Sequence, residues 1–241
     1  MSADILLTIV ATSIIQSIFG AGVLLFGTPL LLLLGYNFID ALVILLPISL
    51  IINAMQIGQH RAYIDLDFYR KILWLTLPPI AVFLFMVTHS RVNIGLLIGA
   101  FLLFIALKEF SAEIARTIGS LMKYEKAYFV LMGVIHGLSN LGGSLLTAVV
   151  HYKGYPKDKA RVTVAASYAT FAAVQLATLF AFNREQIDIP FSINIVYMIV
   201  ACMVYTLANE MLYLQISQSK YQRMFSIFLA MSGILLIGKS L

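Results

Sequence analysis

The sequence predicts an all-α polytopic membrane protein of two inverted-topology repeats, each a re-entrant helical hairpin plus three transmembrane helices. Three observations predict it. Apolar residues fill 61% of the 241 positions and charged residues only 11%, whereas about half apolar is usual for a soluble domain. The apolar residues gather in long runs, at 5–34, 41–57, 72–87, 92–107 and 193–214. Each is near or beyond the ~20 residues that cross a bilayer, and without water to satisfy the backbone such runs must be helical. Finally, the chain repeats itself: a shift of 119 lays Gly35-Tyr36 on Gly154-Tyr155, Ala41 on Ala160, Gln56 on Gln175 and Thr28 on Thr147.

The repeats are 1–121 and 122–241, one transmembrane domain joined through the polar segment 111–126. Each opens on an interrupted apolar stretch. The first, 5–34, is broken at Gly20-Ala21-Gly22 and Gly27-Thr28-Pro29. The second, 127–152, is broken at Ser139-Asn140-Leu141-Gly142-Gly143-Ser144. A long helix carrying Gln56 or Gln175 follows in each half, then two more apolar helices. Crossings at both opening stretches would leave Lys and Arg with no bias between the two sides. Hairpins there instead put thirteen basic residues, from 59–71, 108–126, 151–161 and 215–223, on one side. Arg91, Arg184 and Lys239 remain on the other. That asymmetry is the positive-inside rule, so the hairpins are expected to be re-entrant. Three crossings then separate them, which inverts the second half. Both termini fall outside the cytoplasm of a bacterial inner membrane. Asp4, where a signal peptide would carry Lys or Arg, marks the N-terminus as retained.

The net charge of +5 does not call for nucleic acid, because the basic residues sit in the short gaps that set orientation. A single cysteine, Cys202, excludes an internal disulfide. Enzyme signatures are missing: no Cys-x-x-Cys, no His-x-x-x-His, no phosphate loop with Lys, and Ser139 lacks a nucleophile-elbow frame. No cofactor and no metal is expected.

Thr28-Pro29 carries a strong local signal. Thr is a good N-cap and Pro suits the first helical position, so a half-helix is expected to begin there, deep in the membrane. Ser144 or Thr147 is expected to cap its counterpart. Two helix N-termini meeting at the midplane would make an anion site without a buried cation. Gly20, Ala21, Gly22, Gly27, Gly142 and Gly143 would let backbone approach the ligand, although glycines alone equally fit close helix packing. Thr28, Ser139, Asn140 and Ser144 would contact the ligand. Gln56 and Gln175 would line the site or join helices. His136, the ionisable group inside the hairpins, is the candidate for proton coupling; a neutral His bonded to a backbone carbonyl is the plain alternative. Pro47 and Pro78-Pro79 are expected to kink their helices.

The run Gln16-Ser17-Ile18-Phe19-Gly20-Ala21-Gly22, then Gly27-Thr28-Pro29, Gly35-Tyr36, Ala41-Leu42 and Leu46-Pro47-Ile48-Ser49, resembles the TauE/SafE sulfite exporter family. A weaker copy begins near Gly137-Leu138-Ser139-Asn140-Leu141-Gly142-Gly143, and the resemblance covers nearly the whole chain. It implies an integral membrane transporter that moves sulfite, short organosulfonates or related small sulfur-containing anions, generally outward, with the lipid bilayer as its surroundings. An anion channel of the same architecture and a non-transporting partner subunit are the rival readings. Oligomeric state stays open.

Overall fold

The computed structural model describes residues 2–19, 22–187, 189–212 and 218–241. Its elements are helices throughout, with no strand among the described residues. The first half contains α1 (Ala3–Phe19), α2 (Val23–Leu34), α3 (Phe38–His60), α4 (Leu66–Leu75), α5 (Leu77–Thr88) and α6 (Ile94–Phe110). An amphipathic helix, α7 (Ala112–Met122), leads to the second half. There follow α8 (Glu125–Ser139), α9 (Gly143–Tyr152), α10 (Lys157–Phe182), α11 (Phe191–Leu212) and α12 (Gln218–Ser240). Among the described residues, four spans are long and apolar enough to cross a membrane: Phe38–Gln59, Leu66–Thr88, Asp158–Phe182 and Ser192–Asn209.

Local chemistry explains most of the boundaries. Asn37, Asp65 and Asn93 cap α3, α4 and α6 by accepting the N–H of Asp40, Phe68 and Leu96, which satisfies one of the free donors at each helix start. Gly35 and Asn140 close α2 and α8 in left-handed conformations, φ 102° and 62°, where Gly and Asn are the tolerated residues. Pro78-Pro79 do interrupt their span. The α4–α5 break falls at Thr76, whose hydroxyl donates to the Phe129 carbonyl of α8 at 3.1 Å. By contrast, α3 passes through Pro47 as one helix.

Two helical hairpins, α1–α2 and α8–α9, are present. Each has its mouth held shut by a polar contact. In the first, the Tyr36 hydroxyl donates to Asp4 at 2.9 Å; in the second, Lys153 pairs with Glu125 at 2.7 Å. The mouths lie at opposite ends of the bundle. The first adjoins the start of α3 and the end of α12, where Lys239 donates to the carbonyls of Leu32 and Leu33. The second adjoins the far end of α3, because Lys71 also reaches Glu125 and Lys159 pairs with Asp65 at 3.0 Å. The segments 59–71 and 151–161 therefore share one end.

Helices α3 and α10 run antiparallel through the centre and pack on each other. Around them partners are exchanged between halves, α1 packing on α11, α8 on α5, α3 on α11 and α10 on α5, while α2 stays on α3 and α9 on α10. Outermost, α6 packs on α12. Gly99 and Gly233 allow that contact, since a Cβ on either would sit 2.9 or 2.8 Å from the other's carbonyl oxygen.

Candidate functional site

The hairpins bring buried polar side chains to the central pair of helices at two places. In the second half, His136 of α8 is fully buried and its Nε2 donates to Gln175 Oε1 on α10 at 3.1 Å. One turn later Asn140 leaves α8, donating its backbone N–H to the His136 carbonyl at 2.7 Å. Its side-chain Nδ2 donates to Thr28 Oγ1 of α2 at 2.8 Å, a contact across 112 residues. Thr28, His136, Asn140 and Gln175 are all at 0% exposure. Three of their atoms, His136 Nδ1, Asn140 Oδ1 and Gln175 Nε2, are buried without a hydrogen-bond partner. The rings of Phe171 and Tyr168 enclose the imidazole, with centroids 4.8 and 6.2 Å away. Buried polar atoms without partners cost about 1–3 kcal/mol each, so this cluster holds unfilled hydrogen-bonding capacity inside the bundle.

In the first half the counterpart is Gln16 on α1. It stands six residues before Gly22, as His136 stands six before Gly142. A Cβ on Gly22 would meet Gln16 N at 2.8 Å, and one on Gly142 would meet His136 Cβ at 2.6 Å. Both glycines thus let the return helix start against that residue. Gln16 Nε2 donates to Asn53 Oδ1 at 3.0 Å, and Asn53 Nδ2 donates to Ser49 at 3.0 Å. One turn on, the Gln56 side chain is 1% exposed and neither its nitrogen nor its oxygen has a partner.

Several sequence expectations are corrected. The half-helix does not begin at Thr28-Pro29: α2 starts at Val23, with Gly22 preceding it, and Pro29 lies inside the helix. The reason is Gln16, whose Oε1 accepts the Val23 N–H at 2.9 Å and so caps the helix from another element. An interior proline of this kind is tolerated in membrane helices. Ser144 and Thr147 do not cap α9. Their hydroxyls donate to the carbonyls of Leu141 and Gly143 at 2.9 Å each. Asn140, at the tip of the second hairpin, touches α2 at Thr28, six residues beyond Gly22 and about 9 Å along the helix.

Other expected residues are spoken for locally. Ser139 donates to the Ile135 carbonyl at 2.7 Å. Gly27 faces Leu45, whose Cδ2 a Cβ would meet at 2.8 Å, and Gly143 faces the Tyr168 hydroxyl; both serve close packing. Gly20 and Ala21 lie outside the described residues.

Sequence reasoning missed Gln16 and Arg161. The signal for Gln16 was its spacing before the hairpin glycine. Arg161, counted with a surface loop, sits in α10 at 7% exposure. Its Nη2 donates to Tyr205 Oη and Asn209 Oδ1, both at 2.7 Å, and to the Ser17 carbonyl at 3.3 Å. It ties the end of α1 to α10 and α11. Away from these clusters, an open groove of about 380 Å³ runs past Ile57, Leu66, Tyr69, Ala166 and Ala173. It is apolar apart from Tyr69 and Thr170, whose hydroxyls bond each other at 2.6 Å.

At the end shared by 59–71 and 151–161, charge is organised for solvent. Burial pushes the Asp65 carboxyl up, but the Phe68 N–H, the Lys159 ammonium and the Tyr155 hydroxyl outweigh it and hold it at about 2. Burial likewise acts upward on Glu125, and Lys153 with Lys71 brings it below the usual carboxylate range.

No curated protein and no solved structure matches the chain. Residues 5–236 match the family model described as sulfite exporter TauE/SafE. With this match over nearly its whole length, the chain belongs to the TauE/SafE sulfite exporter family.

Proposed function

We propose that the chain is a secondary transporter that carries a small sulfur oxyanion, sulfite or a short organosulfonate, out across the bacterial inner membrane. The observation that carries this reading is the cluster of Thr28, His136, Asn140 and Gln175. It joins both halves at full burial and holds unsatisfied hydrogen-bonding atoms. The free Gln175 Nε2 donors suit the oxygens of an oxyanion, as would His136 Nδ1 once protonated, and an enclosed site of this kind needs only a few convergent polar groups.

The exchange of packing partners between halves supports an inverted repeat with re-entrant hairpins, a recurrent plan of secondary transporters. The end carrying Lys71, Lys153 and Lys159 would face the cytoplasm, with both termini on the far side. His136 is the proton-linkage group: protonation at Nδ1 would add a positive charge beside the anion, and loss of the proton would favour its release. Movement of the hairpins against α3 and α10 would open the site to each side in turn.

The test is sulfite and short-sulfonate flux into proteoliposomes, with His136→Gln and Asn140→Leu alongside. Saturable flux is expected, pH-sensitive in the wild type, pH-insensitive in His136→Gln and at least tenfold slower in Asn140→Leu. No flux of either anion from folded protein would sink the substrate assignment. Conduction without saturation would replace the carrier by a channel.

A further inference from the structure

We propose that the protein binds its anion at two stations, one in each half, rather than at a single midplane site. The inference rests on the transport reading above and adds a site at Gln56. The two halves build the same arrangement: a polar hairpin residue six before the tip glycine, Gln16 or His136, bonds an amide on the central helix. They differ in which amide is used. His136 takes Gln175, the repeat counterpart of Gln56. Gln16 takes Asn53 instead, one turn before Gln56. The Gln56 carboxamide is thereby left whole, with two N–H donors and a carbonyl, 1% exposed and without a partner at either atom.

A fully buried primary amide paired to nothing is costly, and apolar replacement would relieve it. In the second half the same penalty attaches to the Gln175 Nε2 donor on α10 and, as an unfilled acceptor, to His136 Nδ1 on α8. Each half therefore carries its own unfilled donors on its own central helix.

The two places are separated along the bundle. Ile57, next to Gln56, lines one groove with Ala166, Ala169, Thr170 and Ala173 of α10. Gln175 stands twelve residues, about 18 Å, beyond Thr163, which accepts the Asp65 N–H just past the end of α3. Gln56 stands only four residues, about 6 Å, before that end, so the two amides are on the order of 10 Å apart along the bundle. One sulfite ion cannot span that distance. The hairpins explain the offset: entering from opposite ends, each passes the middle and sets its tip in the far part of the bundle. An anion released from one station meets the second before it meets water, and the N–H donors of two glutamines, which carry no net charge, hold it weakly enough to pass on.

The experiment is calorimetric titration of sulfite into purified protein in nanodiscs, with Gln56→Met and Gln175→Met and the thermal midpoint of each unliganded variant. Two sulfite ions per chain are expected in the wild type and one in each variant. Gln56→Met is also expected to unfold at the wild-type temperature or higher, since it removes an unpaired amide. One ion per chain in the wild type, abolished by Gln175→Met and untouched by Gln56→Met, would overturn the second station and leave the transport reading intact. A lowered midpoint in Gln56→Met with unchanged binding would make Gln56 a structural residue and overturn the station too. No binding of sulfite or of a short sulfonate to folded wild type would overturn both readings.

Discussion

At the scale of single residues, the structure is most sensitive at atoms that have no room or no partner. Gly142 lies against His136, and a Cβ there would be 2.6 Å from His136 Cβ and 2.7 Å from the Met132 carbonyl. Gly142→Ala must push the return helix away from α8. It is expected to destabilise by about 1–3 kcal/mol, the usual cost of overpacking, read as a lowered thermal midpoint in detergent. Thr28 accepts from Asn140 across the halves, so Thr28→Val should cost about 1 kcal/mol as one buried hydrogen bond is lost. The role is an inter-half bond and not the helix cap that the Thr-Pro pair suggested. The sequence showed which residue types were deep in the membrane. It did not show that Gln16, seven residues before Val23, would supply the cap in Thr28's place.

At the scale of elements, the first hairpin is fixed at both ends. Its mouth is closed by Asp4 with Tyr36 and by Lys239 on the last carbonyls of α2, a favourable place for a cation. Near its tip, Arg161 grips the Ser17 carbonyl together with Tyr205 and Asn209. Hydrogen bonds from a charged donor contribute about 1.5–3 kcal/mol. Arg161→Met is therefore expected to lower stability by about 3 kcal/mol, measured by chemical or thermal unfolding in micelles. Arg161→Lys should recover less than half, because one ammonium cannot reproduce the fork of a guanidinium. A full rescue by lysine would mean that charge alone matters there. Hairpin existence was legible from glycine-broken apolar stretches, and the caps at Asn37, Asp65 and Asn93 are short-range patterns of the kind sequence carries well. Arg161 was not legible, since the same basic residue at a helix start serves equally as a surface charge.

At the scale of the whole molecule, charge and topology act together. Asp65 and Glu125 bind the loops of both halves at one end. Asp65 is held at about 2 against an ordinary value of 3.8. A carboxyl depressed on folding contributes stability that is present above its unfolded value and lost as pH falls through its folded one. The thermal midpoint is therefore expected to be flat above pH ~5 and to drop between pH ~4 and 2. Asp65→Asn should be less stable near neutrality and show a smaller drop. Orientation is checked by single cysteines placed at Tyr63, Tyr152 and Val92 in a Cys202→Ser background. The first two should react with an impermeant thiol reagent from one face and the third from the other. Reaction of Tyr63→Cys and Tyr152→Cys from opposite faces would break the paired arrangement of the halves.

The sequence by itself determined the apolar surroundings, the helical class, the order of the apolar spans and the crowded basic end. These follow from sums over neighbouring residues, hydropathy along a window and charge per loop, which need no knowledge of contacts. Only the tertiary structure decided where α2 begins, that His136 answers to Gln175, that Thr28 answers to Asn140 and that Gln56 is left unpaired. The start of α2 depends on a residue seven positions away, and the other outcomes on partners 37 to 112 residues apart. In a membrane, where apolar side chains pack equally well in many registers, a buried amide takes whichever partner the packed helices bring within about 3 Å.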